Sequence, residues 1–131
     1  MNAAPLTTRS ALIVTSEPAL LYCLRFIVHG MGLSVATADD VISAQAQAAA
    51  IHPALVLIDL DALGSRGFAL CRNLSGMAAA RKKSMHLVVL SLRSTAASEA
   101  KARAMGAEAV LQKPFDPTAL RQQLNQILLG T

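Results

Sequence analysis

An aspartate and a lysine, each at the end of an apolar run, are the residues of this chain best placed to do chemistry. The run Pro53-Ala-Leu-Val-Leu-Ile-Asp59 has the character of a buried strand and ends on a carboxylate, and the run Ala109-Val-Leu-Gln-Lys113 ends on a lysine. If both runs are parallel strands of one sheet, Asp59 and Lys113 meet at the carboxyl edge of that sheet. In open α/β sheets this edge is where ligands bind.

The elements that must position these two residues alternate between strand and helix five times. Apolar runs predict strands over residues 11–14, 33–37, 55–58, 87–90 and 110–111. The helices are predicted between them, from Pro18 to Met31, from Asp39 or Asp40 to the residue before His52-Pro53, around the stripe Leu70, Cys71, Leu74 and Met77, from Ser94 or Thr95 to Gly106, and after Asp116-Pro117. Five such units predict a doubly wound parallel α/β sheet with helices on both faces.

The composition is that of one ordered globular domain without a membrane span. Of 131 residues, 53% are hydrophobic and 15% charged, which excludes a disordered chain. The best membrane candidate, residues 19–28, is short and carries Arg25. Residues 1–10 contain no apolar signal core, so we expect the chain to remain in the cytoplasm.

The dispersed charge argues against a nucleic-acid-binding protein, and the cysteines argue against a metal-bound or disulfide-linked one. The net charge is +4, but the basic residues are dispersed except at Arg81-Lys82-Lys83, and three phenylalanines and one tyrosine offer little for base stacking. We therefore expect no nucleic acid as a partner. Cys23 and Cys71 show no metal-type spacing and fall on helices expected on opposite sides of the sheet, so both are predicted to be buried free thiols.

No sequence pattern supports an enzyme. The chain has no glycine-rich phosphate loop, no nucleophile elbow and no paired His or Cys ligands. Its three histidines, His29, His52 and His86, are scattered along the sequence, and a lone histidine is usually a surface or core residue. We predict no catalytic residues and no protein-bound metal.

The chain resembles the receiver domains of response regulators, the CheY-like superfamily. The resemblance rests on Asp59 closing the third strand, on Ser91 closing the fourth and on the segments PALVLIDL, GFALCRNL and AMGAEAVLQKPF. It covers residues 11–129 and implies a flavodoxin-like (βα)5 fold with a five-stranded parallel sheet in the order 2-1-3-4-5. We expect residues 1–131 to form a single receiver domain, with a core of about 11–129 and no output domain.

The resemblance also implies roles for site residues in two-component phosphorelay signal transduction. Asp59 matches the aspartate that takes a phosphoryl group from a histidine kinase, with Mg²⁺ neutralising charge. Ser91 matches the hydroxyl residue that binds a phosphoryl oxygen, and Lys113 matches the lysine that pairs with the phosphoryl group, followed by a peptide bond that is usually cis. A carboxylate nucleophile and donors to the equatorial oxygens are what this chemistry requires.

Three departures from the family pattern make this an atypical member. Thr15 and Ser16 stand where the family has the acidic pair that holds Mg²⁺, and hydroxyls are poor substitutes for carboxylates on this hard cation. Ser16 can instead be interpreted as a helix N-cap. Val110 replaces the aromatic switch residue, and valine is stiff at χ1. Leu92 replaces alanine or glycine and is expected to restrict access to the site.

Two nearby acids are candidates to compensate for the lost pair. Glu17 follows Ser16, and Asp61 lies two residues beyond Asp59. Asp61 could form an ion pair with Arg93 across the site or give one oxygen to a metal, and the alternative for both acids is a solvated loop position. We expect no cofactor, and Mg²⁺ only if such compensation occurs.

Two functions remain open from the sequence, and the first is favoured. One is a receiver that signals through contacts with a protein partner, with weak or no Mg²⁺-dependent phosphorylation at Asp59. Its candidate surface is formed by the fourth predicted helix, the fifth strand and the fifth helix, which could also support a homodimer. The alternative is a conventional phospho-acceptor response regulator, phosphorylated on Asp59 by a histidine kinase. Both place the chain in two-component signalling, with no membrane and no nucleic acid as partners.

Overall fold

A computed structural model describes residues 9–129 of the chain. Its strands are β1 (Ser10–Val14), β2 (Ser34–Ala38), β3 (Leu55–Asp59), β4 (His86–Ser91) and β5 (Ala109–Gln112). Its helices are α1 (Pro18–Gly30), α2 (Val41–Ile51), α3 (Leu60–Leu63), α4 (Arg66–Arg81), α5 (Ala96–Ala104) and α6 (Pro117–Leu129). Most of the stretch 1–10, on which the cytoplasmic prediction depends, lies outside the described residues.

The five strands form one parallel sheet in the order β2-β1-β3-β4-β5, which confirms the predicted fold. The two strands most completely buried are β3 and β4, because helices cover both of their faces. In the register of the sheet, Asp59 lies opposite Leu90, and Ser91 lies opposite Gln112. The carboxyl ends of β3, β4 and β5 therefore come together at one edge.

Two apolar layers hold the helices against the sheet. One layer packs α1 and α6 through Leu24, Ile27, Val28, Leu120, Leu124 and Leu128. The other packs α2, α4 and α5 through Ala44, Ala48, Leu70, Cys71, Leu74 and Ala102. The buried residues of α2 and α5 in this layer are all alanines, whereas the other alanines of these two helices are exposed or half-buried.

The helix ends mostly follow the sequence signals. Asp40 and Thr95 cap α2 and α5 by accepting hydrogen bonds from Ser43 N and Ser98 N. Gly106 follows the end of α5 with φ +109°, a conformation that favours glycine. The prediction that Ser16 caps α1 is wrong. Because α1 begins at Pro18, the residue directly before it is Glu17, whose Oε1 accepts from Leu20 N at 3.0 Å.

The two cysteines lie in different layers of the fold, as the sequence predicts, but only Cys71 is buried. Cys23 is half-buried at the edge of the layer between α1 and the sheet, so the prediction of a buried thiol is wrong for it. Both are free thiols. None of the helices within residues 9–129 is long and apolar enough to cross a bilayer.

The two thiols are expected to differ strongly in reactivity. Burial raises the pKa of the Cys71 thiol to about 11, so near neutral pH it is neither ionised nor accessible. A disulfide reagent added to the folded protein should label Cys23 and leave Cys71 unmodified until denaturant is added, as read by intact mass. Cys23→Ser is the control and should take up no label while folded. Rapid labelling of that variant in the absence of denaturant would contradict the packing of α4.

Candidate functional site

Asp59 lies at the carboxyl edge of the sheet, at the end of the central strand β3. The apolar residues before it are buried between the two helical layers, and this packing fixes where the strand ends. Asp59 itself is only 2% exposed. A carboxylate this deeply buried requires partners for both of its oxygens, because an unpaired buried charge is strongly unfavourable.

Lys113 is the first of these partners. Its Nζ lies 2.8 Å from Asp59 Oδ1 and 3.0 Å from Asp61 Oδ2, so one ammonium serves two carboxylates. The lysine is positioned by its backbone N–H, which donates to Ser91 O and extends the β4–β5 ladder beyond Gln112. The peptide bond between Lys113 and Pro114 is cis, as the resemblance implies. Burial by itself lowers the pKa of Lys113, but the hydrogen bonds and charges of Asp59 and Asp61 outweigh burial, so the pKa lies above its usual value.

Thr15 is the second partner of Asp59. Its backbone N–H donates to Ala38 O and so extends the pairing of β1 with β2 by one residue, which directs the side chain at the site. The buried Thr15 hydroxyl donates to Asp59 Oδ2 at 2.7 Å and accepts from Glu17 N at 3.1 Å. Sequence reasoning identified Thr15 as a lost metal ligand but missed this hydrogen bond. The signal for it was a hydroxyl residue directly after a strand adjacent to β3.

The two candidate compensating acids occupy different environments. Glu17 is exposed and caps α1, so the described structure gives it no contact with Asp59. Asp61 lies in the short helix α3 and belongs to the site, where it accepts from Leu92 N at 2.8 Å as well as from Lys113. Of the possibilities left open for Asp61, an ion pair is formed, but its partner is Lys113 and not Arg93. Because α3 begins directly after Asp59, it turns Asp61 towards Lys113 instead.

The remaining predicted site residues surround this ion pair, and in the described structure those that contact it, Ser91 and Leu92, do so through backbone atoms. The Ser91 hydroxyl donates to Arg93 O at 3.0 Å and accepts from Arg93 N at 3.2 Å, within its own loop. Leu92 is exposed beside it. Val110 is half-buried in β5, opposite Val89, and packs against the layer that contains α4 and α5. Ser16 is exposed and lies two residues beyond the end of β1.

These residues do not fit a magnesium ion. Mg²⁺ prefers oxygen ligands in near-octahedral geometry, but both Asp59 oxygens already accept hydrogen bonds from Thr15 and Lys113. Among residues 9–129, the only other carboxylate in contact with Lys113 is that of Asp61, which is held by the same ammonium. Among residues 9–129, no group of three or more His, Cys, Asp or Glu side chains is arranged to hold a metal.

Known proteins share both the sequence pattern and the fold of this chain. The sequence profile of the response regulator receiver domain matches residues 11–125. Comparison with curated proteins gives no match. Among solved structures, the chain is similar to a CheY-like receiver domain protein from Methanospirillum hungatei, with 19% identity and a TM-score of 0.84 over 95% of this chain and 96% of that one.

Two further solved structures show the same likeness. The chemotaxis protein CheY4 of Vibrio cholerae is 20% identical with a TM-score of 0.82, and the match covers 92% of this chain and 99% of that one. A response regulator from Thermotoga maritima is 18% identical with a TM-score of 0.83, and the match covers 94% and 99% of the two chains. Since the matched profile runs from β1 into α6 and includes Asp59 and Lys113, the chain belongs to the response regulator receiver domain family.

Proposed function

We propose that this receiver domain signals through contacts with a protein partner, with weak or no Mg²⁺-dependent phosphorylation at Asp59. The observation that carries the proposal is the state of the Asp59 carboxylate. Its Oδ1 accepts from Lys113 and its Oδ2 accepts from the Thr15 hydroxyl, at 2.8 and 2.7 Å. The site thus satisfies Asp59 with the chain's own donors.

The charge around Asp59 supports the same proposal. A phosphoryl group arriving there would add negative charge beside Asp59 and Asp61, with Lys113 the only cation in contact with either carboxylate among the described residues. Transfer depends on neutralising the charge that develops on the phosphoryl oxygens. A single ammonium shared by two carboxylates is a weak source of that neutralisation. The proposed role is therefore that of a binding module and includes no catalysis.

The alternative is a conventional phospho-acceptor receiver, and one observation favours it. Asp59, Ser91 and Lys113 lie at the same edge of the sheet, and among the described residues the Ser91 hydroxyl bonds only to the backbone of Arg93. A rotation of that hydroxyl away from Arg93 would free a donor next to Asp59. On this alternative, the new bond to phosphorus would form at one Asp59 oxygen and would displace the hydrogen bond that this oxygen accepts, from Thr15 at Oδ2 or from Lys113 at Oδ1.

Incubation with a small acyl-phosphate donor and Mg²⁺, followed by intact-mass measurement, distinguishes the two functions. We expect no added phosphate at any Mg²⁺ concentration, because the site lacks carboxylates free to bind the metal. Asp59→Asn is the matched control, and it should behave as the unmodified protein does. A Mg²⁺-dependent gain of one phosphate on most of the protein, absent in Asp59→Asn, would contradict the proposal and support the conventional receiver.

The proposed surface for the partner is the face formed by α5, β5 and α6. The strand β5 is an edge of the sheet, and only part of its surface is covered. Lys113 follows β5 directly, so a partner on this face would lie next to the ion pair with Asp59. The same face is the proposed contact if the domain forms a homodimer.

A further inference from the structure

The helix α1 exposes two aromatic side chains that the receiver fold does not use. Tyr22 and Phe26 are 78% and 77% exposed, and they lie one turn apart on the same side of the helix. Isolated exposed apolar residues are common, but adjacent large ones rimmed by polar residues are typical of interaction sites. This pair lies outside the α5–β5–α6 face.

The two aromatic residues border a groove of about 930 Å³. One wall is α1 from Pro18 to His29, and the other is the start of the edge strand β2 together with Gly32 and Leu33. Since α1 begins at the carboxyl edge of the sheet and runs away from it, the groove extends from near the site to the opposite edge. None of its lining residues contacts Asp59 or Lys113.

The charge of the groove is one-sided. Arg25 is exposed on its helical wall, beside the exposed His29, and none of the described lining residues is an aspartate or a glutamate. Within residues 9–129, no carboxylate is within ion-pairing distance of Arg25. The groove therefore combines an apolar floor with an unneutralised cation, a combination that is complementary to an acidic amphipathic segment.

We propose that this groove binds an amphipathic helix of a partner protein, one that carries large apolar residues on one face and acidic residues beside them. The helical wall from Pro18 to His29 is about 17 Å long at 1.5 Å per residue, which matches about three turns of a partner helix. A partner strand would gain less, because only Ser34 and Val35 of β2 line the groove.

A second copy of this chain is a poorer occupant than an acidic partner. A twofold contact through the groove would bring the Arg25 side chains of both copies into one interface, and none of the described lining residues is an acid that would offset their repulsion. Occupation of the groove requires no change at Asp59. The inference therefore holds whether or not Asp59 accepts phosphate.

The test uses a fluorescent synthetic peptide of about four helical turns, with leucines on one face and glutamates flanking them. Fluorescence anisotropy should show saturable binding to the intact domain, and backbone amide shifts should map to α1 and the start of β2. Arg25→Glu should weaken binding by about tenfold, and Tyr22→Ala with Phe26→Ala by at least about tenfold. All three residues are exposed, so the fold should tolerate these changes.

Matched controls distinguish binding in the groove from non-specific binding elsewhere on the surface. Arg72→Glu and Ile42→Ala change an exposed arginine and an exposed isoleucine elsewhere and should leave the affinity unchanged. A peptide with lysine at every glutamate position should bind the unmodified protein weakly and Arg25→Glu more tightly. The proposal is overturned by any of three results: no saturable binding of the acidic peptide, shifts that map to the α5–β5–α6 face, or a concentration-dependent dimer that Phe26→Ala disperses.

Discussion

Lys113→Met is expected to lower the free energy of unfolding by about 2–3 kcal/mol at neutral pH, because it leaves two carboxylates without their cation. Asp59 has a side-chain exposure of 3% and cannot regain its solvation without opening the site. Asp61 is one-third exposed and recovers part of its hydration, which holds the loss below that of a fully buried pair. Urea denaturation followed by circular dichroism measures the difference.

Two controls connect this loss to the carboxylates. Lys83→Met removes an exposed lysine without an ion pair among the described residues and should change stability little. Adding Asp59→Asn to Lys113→Met should restore most of the lost stability, because the amide no longer needs a cation. A deficit equal to that of Lys83→Met would show that Lys113 and Asp59 do not interact.

The double substitution Thr15→Asp with Ser16→Asp is expected to make the domain both less stable and responsive to Mg²⁺. In the presence of a chelator, a carboxylate at position 15 would face Asp59 Oδ2 where a hydroxyl now donates, so we expect a loss of about 2 kcal/mol or more. Free Mg²⁺ at about 100 times its dissociation constant should return about 2.7 kcal/mol. Thermal unfolding with and without MgCl₂ measures both effects.

The neutral pair Thr15→Asn with Ser16→Asn is the matched control. It changes the same positions without adding charge, so its unfolding temperature should not depend on Mg²⁺. The unmodified protein should likewise show no Mg²⁺ response, since both Asp59 oxygens are already hydrogen-bonded by Thr15 and Lys113. If calorimetric titration detects no gain in Mg²⁺ binding by the acidic double variant, the end of β1 does not present these side chains to Asp59.

The sheet could be predicted from the sequence because its strands have a strong physical signature. The continuously apolar run that becomes β3 is typical of a strand covered on both faces, and the helices between strands favour a parallel topology. The ends of strands are predicted less accurately from the sequence than the strands themselves, since β2 spans Ser34–Ala38 rather than the predicted 33–37. Moving a strand boundary by one residue hardly changes the hydrophobicity of the segment, but it decides which side chains lie at the carboxyl edge of the sheet.

The loops were the part that the sequence did not determine. The short helix α3 has no distinct sequence signal, yet it turns Asp61 to Lys113 rather than to Arg93. Likewise, either Ser16 or Glu17 has a suitable capping oxygen, and only the exact start of α1 decides between them. The pairing of Asp59 with Lys113 was accessible to sequence reasoning because the sheet, not a loop, places both residues.

Asp61 binds two groups, so the position of the Leu92 segment is coupled to the position of the Lys113 side chain. Its carboxylate holds the backbone N–H of Leu92, ahead of α5, and the ammonium of Lys113, beyond β5. A partner that pulled the Leu92 segment outward would have to break the first bond, and Asp61 would then compete more strongly with Asp59 for the lysine. By reciprocity, any event that draws Lys113 away from Asp61 would strengthen the bond of Asp61 to the Leu92 segment by the same free energy. The position of the Leu92 segment is thus coupled to how Lys113 is shared between Asp59 and Asp61.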